Sequence, residues 1–117
     1  MKIIESSKYK RDLKKLEKKH MIKEINNINE ICDFIIIFNN MKELLSNELC
    51  KIYGIEKKKG NLKEIYTARV NNKIRMYIQP VGNYPYNLEE IEIVELEKID
   101  DKHYGEGWIW VQVLVLF

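Results

Sequence analysis

The chain has 117 residues, 45% of them hydrophobic and 32% charged, with only 5 Gly and 2 Pro. That is enough apolar material for one packed core and too little length for two, which excludes collagen-like and disordered chains. Lys and Arg number 20 against 18 Asp and Glu, so the net charge of +2 excludes a uniformly cationic coat. The opening Met1-Lys2-Ile3-Ile4-Glu5 lacks the apolar run of a secretory leader, and its Ile3-Ile4 pair predicts a short strand. Ser6 and Ser7 are N-cap candidates, because a hydroxyl oxygen accepts from the first unpaired helical N–H groups. Tyr9, Leu13 and Leu16 then recur at i, i+4 and i+7 among lysines, which predicts an amphipathic helix with a basic outer face. Ile22, Ile25, Ile28, Cys32 and Ile35 predict a second helix, with Asn39-Asn40 as its stop and Met41 to Leu45 as one further turn. The run Phe34 to Phe38 is β-prone and leaves the end of that helix open.

From residue 60 the period changes. Gly60-Asn61 signals a turn, and Ile65–Val70 and Lys73–Gln79 predict a hairpin around Asn71-Asn72, residues that tolerate positive φ. Pro80, Gly82, Asn83 and Pro85 mark a longer loop. Glu90 to Leu96 alternates charged and apolar, the pattern of a half-exposed antiparallel strand. Asp100 to Gly107 is polar and turn-like. Trp108 to Phe117 is apolar except for Gln112, and is shorter than the roughly 20 residues a membrane helix needs. The expected class is α+β, with an N-terminal strand and two helices packed on a small antiparallel sheet. Residues 1–107 form the expected domain, and 108–117 an extra strand or a non-native extension that is buried, paired or self-associating.

Charge is segregated. Residues 1–24 carry nine Lys or Arg against four acids, and residues 51–75 carry eight against two. Residues 87–106 reverse the sign, with eight acids against Lys98 and Lys102. A basic middle of this kind attracts phosphates even when the net charge is small; read alone, Lys57-Lys58-Lys59 is a solvated loop. Cys32 and Cys50 form no CxxC pair, which points to free thiols in a cytosolic protein. Cys32 is expected in the core. With only His20 and His103 as imidazoles, no metal is expected.

The segment from Lys57 to Tyr77, KKKGNLKEIYTARVNNKIRMY, resembles the central hairpin of the RelE/ParE toxin superfamily, closest to its HigB-like branch. The shared pattern is a basic residue, Gly-Asn-Leu, an aromatic, Arg-Val-Asn, and an arginine leading the next strand. The preceding strand and helices, and a late strand followed by Lys98 and His103-Tyr104, come in the same order. Thr67 departs from the pattern, standing where the RelE branch often has a lysine, and Glu95-Leu96-Glu97 lacks the aromatic and His of the HigB branch.

The resemblance implies a RelE-like fold and the toxin half of a type II toxin–antitoxin module. It implies a metal-independent, ribosome-dependent mRNA endoribonuclease that uses no cofactor, a cognate antitoxin, mRNA on the ribosome as substrate, and no membrane partner. The alternative on the same fold is a non-catalytic binding protein, either gyrase-directed like ParE or a degenerate antitoxin-binding member. Residue by residue, Arg75 matches the arginine opening the second hairpin strand, and Arg69 a basic position on the first. Lys98 falls near the basic residue after the late strand, and Tyr104 near the C-terminal tyrosine of the RelE branch. Such cleavage needs a base for the 2′-hydroxyl, cations for the crowded phosphate, and an acid for the leaving 5′-oxygen. Arg75 and Arg69 would supply planar, permanently charged donors, and Tyr104 or His103 would move protons. Lys57, Lys58, Lys59, Lys63 and Lys73 are the expected RNA-binding cations. Tyr66 and Tyr77 suit either base stacking or strand packing.

Overall fold

The computed structural model describes residues 1–58, 60 and 64–101. The chain opens with strand β1 (Lys2–Glu5), then helices α1 (Ser7–Lys18), α2 (Ile22–Ile36) and α3 (Met41–Ser46), and a 3-10 turn over Glu48–Lys51. Strands β2 (Glu56–Lys57), β3 (Tyr66–Arg69), β4 (Arg75–Pro80) and β5 (Ile93–Asp100) follow. Among the described residues the five strands form one sheet in the order β1-β5-β4-β3-β2. The expected α+β class holds, with one addition. β1 runs parallel to β5, while the other pairs are antiparallel. Parallel neighbours need a long crossover, which the helices and hairpin provide.

Local chemistry accounts for the helices. Ser6 is extended, and its hydroxyl accepts from the Tyr9 amide at 3.0 Å, which caps α1. Tyr9 and Leu16 are buried with Leu13 beside them, and the basic residues of α1 lie exposed. In α2 the buried stripe is Ile28, Ile31, Phe34 and Ile35, with Ile25 and Cys32 partly buried. Ile22, expected on that stripe, is exposed at the first turn. The β-prone run stays helical through Ile36 because Phe34 and Ile35 face the core, where Phe34 packs edge-on against Phe38 at 5.0 Å. Tertiary burial outweighs propensity here; each such side chain contributes roughly 1.5–3 kcal/mol. Asn40 caps α3 by accepting from the Glu43 amide, so the expected stop of one helix also starts the next.

The hairpin differs in its turn. Neither Asn71 nor Asn72 has positive φ; among the described non-glycine residues only His20 does. Instead Asn71 Oδ1 accepts from the amides of Lys73 and Ile74 at 2.8 and 2.7 Å, an Asx-type turn that closes a wider loop. The late strand begins at Ile93, later than the alternation of Glu90–Leu96 predicts, because Glu90 belongs to a turn closed by its amide on Asn87 O. Lys57 lies in β2, paired with Tyr66, and not in a loop.

The helices cover one face of the sheet, towards which Tyr66, Ala68, Met76, Ile78, Val94, Leu96 and Ile99 are buried. Alternation assigns Thr67, Arg69, Arg75, Tyr77, Gln79 and Glu95 to the opposite face. That face would exclude Lys98 if β5 were regular, since 94, 96 and 98 share a side. The β4–β5 register shifts between Tyr77 and Ile78, where Leu96 pairs with Ile78 and Lys98 with Tyr77, leaving Glu97 as the extra residue. The bulge turns Lys98 outward and returns Ile99 to the core. Helix α1 holds this kink. Ser6 Oγ donates to the Glu97 carbonyl at 2.6 Å, and Asp12 Oδ2 accepts from the Ile99 amide at 3.1 Å. Beyond Glu5, the side chains of Ser6, the cap of α1, and of Asp12 within it therefore take over the hydrogen bonding that β1 supplies to the first half of β5.

Candidate functional site

The open face of the sheet gathers cations around one aromatic ring. Tyr77, at the centre of β4, has only 5% of its surface exposed. Lys98 Nζ lies 4.6 Å from its ring centroid, delivered there by the bulge. Lys58 Nζ also lies 4.6 Å from the centroid and donates to the phenolic oxygen at 2.8 Å. Lys58 follows β2, and its amide donates to Ile65 O, so its side chain crosses β3 to reach β4. Thr67, small and opposite Tyr77 in the register, leaves room for that crossing. Ammonium groups near a ring face gain from its quadrupole, which holds long side chains in place at modest cost.

One pleat repeat along β4, roughly 7 Å away, stands Arg75. It faces Arg69 on one side and Asp100 on the other. Arg75 Nη1 donates to the carbonyls of Asn71 and Ile74, so the guanidinium is anchored to the hairpin turn. Arg69 runs the other way. Its side chain lies over Gly54, whose φ of +60° and lack of a side chain permit the approach: a Cβ there would sit 2.9 Å from Arg69 Cβ, Nε and Nη2. The two arginines thus oppose each other in register while their head groups take different supports. At the other end the face is less basic, with Gln79 donating to the Tyr86 hydroxyl at 2.6 Å and Glu95 beside it.

The expected site residues fall into three groups. Lys58, Lys98, Arg69 and Arg75 lie on or beside this face. Lys57 points away on the β2 edge, 3.8 Å from Glu64, and Lys73 is exposed at the hairpin turn. Lys59, Lys63, His103 and Tyr104 lie outside the described residues, as does segment 108–117. Tyr66 takes the packing role: it is buried on the helix side, its hydroxyl donates to Glu64 Oε2 at 2.9 Å, and burial raises its pKa above the ordinary phenol value. Sequence reasoning passed over the central place of Tyr77, the reach of Lys58, and the Asp12 anchor. One signal was present: core residues at 94, 96 and 99 are spaced by two and then three, the mark of an inserted residue.

A hollow of about 200 Å³ opens between α1 and the end of β5, its charged lining being Lys8, Lys15, Lys19 and Lys98 with Asp12, Asp100 and Asp101. Among the described residues no cluster of three His, Cys, Asp or Glu is placed to hold a metal ion. No described helix is long and apolar enough to cross a membrane.

A strand, helices and a five-stranded sheet with one face covered by the helices make up a RelE-like fold. The crystal structure of YafQ from E. coli strain BL21(DE3) has this architecture. It aligns with a TM-score of 0.59 over 86% of this chain and 92% of that one, at 15% sequence identity. No family model and no curated protein sequence matches the chain.

Proposed function

We propose that the protein is the toxin of a type II toxin–antitoxin pair, of the HigB-like branch, and that it cleaves mRNA on the ribosome without a metal or cofactor. The observation that carries this reading is the cationic open face, where Lys58 and Lys98 flank Tyr77 and Arg75 stands one repeat along β4, opposite Arg69 in register, on a RelE-like sheet. A cleaving site must place fixed positive charge where the pentacoordinate phosphate develops negative charge. Arg75 meets that need, because its bonds to Asn71 O and Ile74 O orient it before substrate arrives. Arg69, Lys98, His103 and Tyr104 complete the proposed catalytic set, and Lys57, Lys58, Lys59, Lys63 and Lys73 the RNA-binding set. The protein then acts in the cytoplasm and is held inactive by a cognate antitoxin that covers this face.

The test is expression from a tight promoter, with and without Arg75→Ala, followed by mapping of mRNA 5′ ends. Cuts within translated codons that fall roughly 10²-fold or more in the variant are expected. Growth arrest without cuts would replace this reading by a non-catalytic toxin, gyrase-directed or otherwise. Absence of both would mark a degenerate member.

A further inference from the structure

We propose that residues 108–117 of the same chain add to the free edge of β1 as an antiparallel strand and cover the apolar patch beside it. The inference goes beyond the nuclease reading and stands apart from it.

Among the described residues the sheet has two edges, β1 and β2. On β1 the amides of Lys2 and Ser6 donate to Glu92 O and Leu96 O. Strand alternation therefore points the amides and carbonyls of Ile3 and Glu5 away from β5. An outward row of this kind is a template for another strand, and apolar neighbours strengthen it. Such neighbours are present. Ile4 is 38% exposed on the open-face side of the edge, and Ile36 and Ile37, at 52% and 69%, stand at the end of α2. The Met1 nitrogen donates to Ile36 O at 2.9 Å, which holds that helix end against the start of β1. An open hollow lined by Ile3, Ile4, Glu5, Lys10, Cys32 and Ile36 runs along the edge.

The occupant follows from composition and reach. Residues 108–117 lie outside the described residues; Gln112 is their one polar side chain, and the rest are mostly β-branched or aromatic. A segment apolar on both faces suits an edge where Ile4 lies on one side and Ile36 on the other. Glu5 pairs with Leu96 in parallel register, so β5 carries the chain past the Glu5 end of β1. The outer side of β1 is two strand spacings, about 10 Å, from β5. Residues 102–107 span that gap and the overhang of β5, since six residues extend to roughly 20 Å. A segment returning from there runs antiparallel to β1, from Glu5 towards Lys2. Because β1 has only four residues, the remainder continues over Ile36 and Ile37. The β2 edge fits less well: it is two residues long, both charged, and lies beyond β4 and β3. Pairing at β1 leaves Tyr77 and Arg75, two strands away, uncovered.

Both tryptophans of the chain, Trp108 and Trp110, lie in this segment, so intrinsic fluorescence reads its environment. The full chain is expected to emit at shorter wavelength than in urea and to resist acrylamide quenching. Amide exchange by NMR reads the place. Ile3 and Glu5 are expected to exchange about tenfold or more slower in the full chain than in one ending at Gly107. Ile4, whose amide faces β5, is expected to change less. Ile36→Asp, at an exposed position, is expected to move the emission towards the urea value and to speed exchange at Ile3 and Glu5. If the shortened chain loses its fold, Val113→Pro in the full chain decides by the same exchange rates, since proline cannot donate to a ladder. Equal exchange at Ile3 and Glu5 with and without the segment would overturn the pairing, as would tryptophans quenched as freely as in urea. Protection that fades on dilution would overturn it too, replacing it by strand exchange between two copies. Absence of mRNA cuts moves none of these readouts.

Discussion

Asp12 shows how one side chain sets the geometry of a distant strand. Its carboxylate is 6% exposed, pairs with Lys8 at 2.9 Å, and accepts from the Ile99 amide. Asp12→Ala leaves that buried amide without an acceptor and is expected to cost about 2–3 kcal/mol in urea unfolding. Asp12→Asn keeps an oxygen acceptor and is expected to cost less than half as much. Cys32 governs a different response. Burial pushes its thiol from 9.0 up to about 11, with Tyr9 as its hydrogen-bonding neighbour. The unfolded chain ionises first, so stability falls as pH rises above 9 and levels near 11 for this group; Tyr9, raised by burial as well, extends the loss upward. Urea midpoints at pH 8, 9.5 and 10.5 are expected to decrease in that order, and Cys32→Ala to flatten the first step. At pH 8 the native thiol is expected to react slowly with alkylating reagents and quickly in urea.

Among the elements, the bulged strand decides where the site forms. Removing Glu97 restores regular alternation, with Lys98 directly after Leu96 and so still on the open face, and Ile99 still on the core side. The deletion is therefore expected to keep a cooperative thermal transition, and Ser6→Ala, which loses the α1 cap and the Glu97 carbonyl bond, to cost about 1 kcal/mol. Elements set by local chemistry were legible in the sequence: the Ser6 cap, the Tyr9–Leu13–Leu16 stripe, and the hairpin bounded by Asn71. What local pattern does not encode was missed. β2 is two residues long and exists only through pairing with β3. The positive φ expected at Asn71-Asn72 gave way to a side-chain turn. The arginine pair was read from motif positions, but the Tyr77 cluster depends on sheet order and on the bulge, which no single segment specifies.

In the molecule as a whole, β5 is the hub. It pairs with β1 on one side and β4 on the other, and α1 packs along it. A chain ending at Glu92 lacks that strand, leaves β1 without a partner, and strips the acceptors that satisfy Ser6. It is expected to lose amide chemical-shift dispersion throughout, including in α1, whose sequence is intact. The partners that close this arrangement are far apart: Ser6 and Glu97 lie 91 positions from each other. Loop closure over such a span makes this pairing a late event in folding.

The same separation has a consequence during synthesis. Proteins emerge from the ribosome amino end first, and β1 and α1 leave the exit tunnel long before β5 has been translated. Until Asp100 is clear, Lys98 has no bulge to orient it and Tyr77 no second cation. An interrupted or prematurely released chain therefore carries no assembled cationic face, and the order of manufacture itself keeps partial products inert.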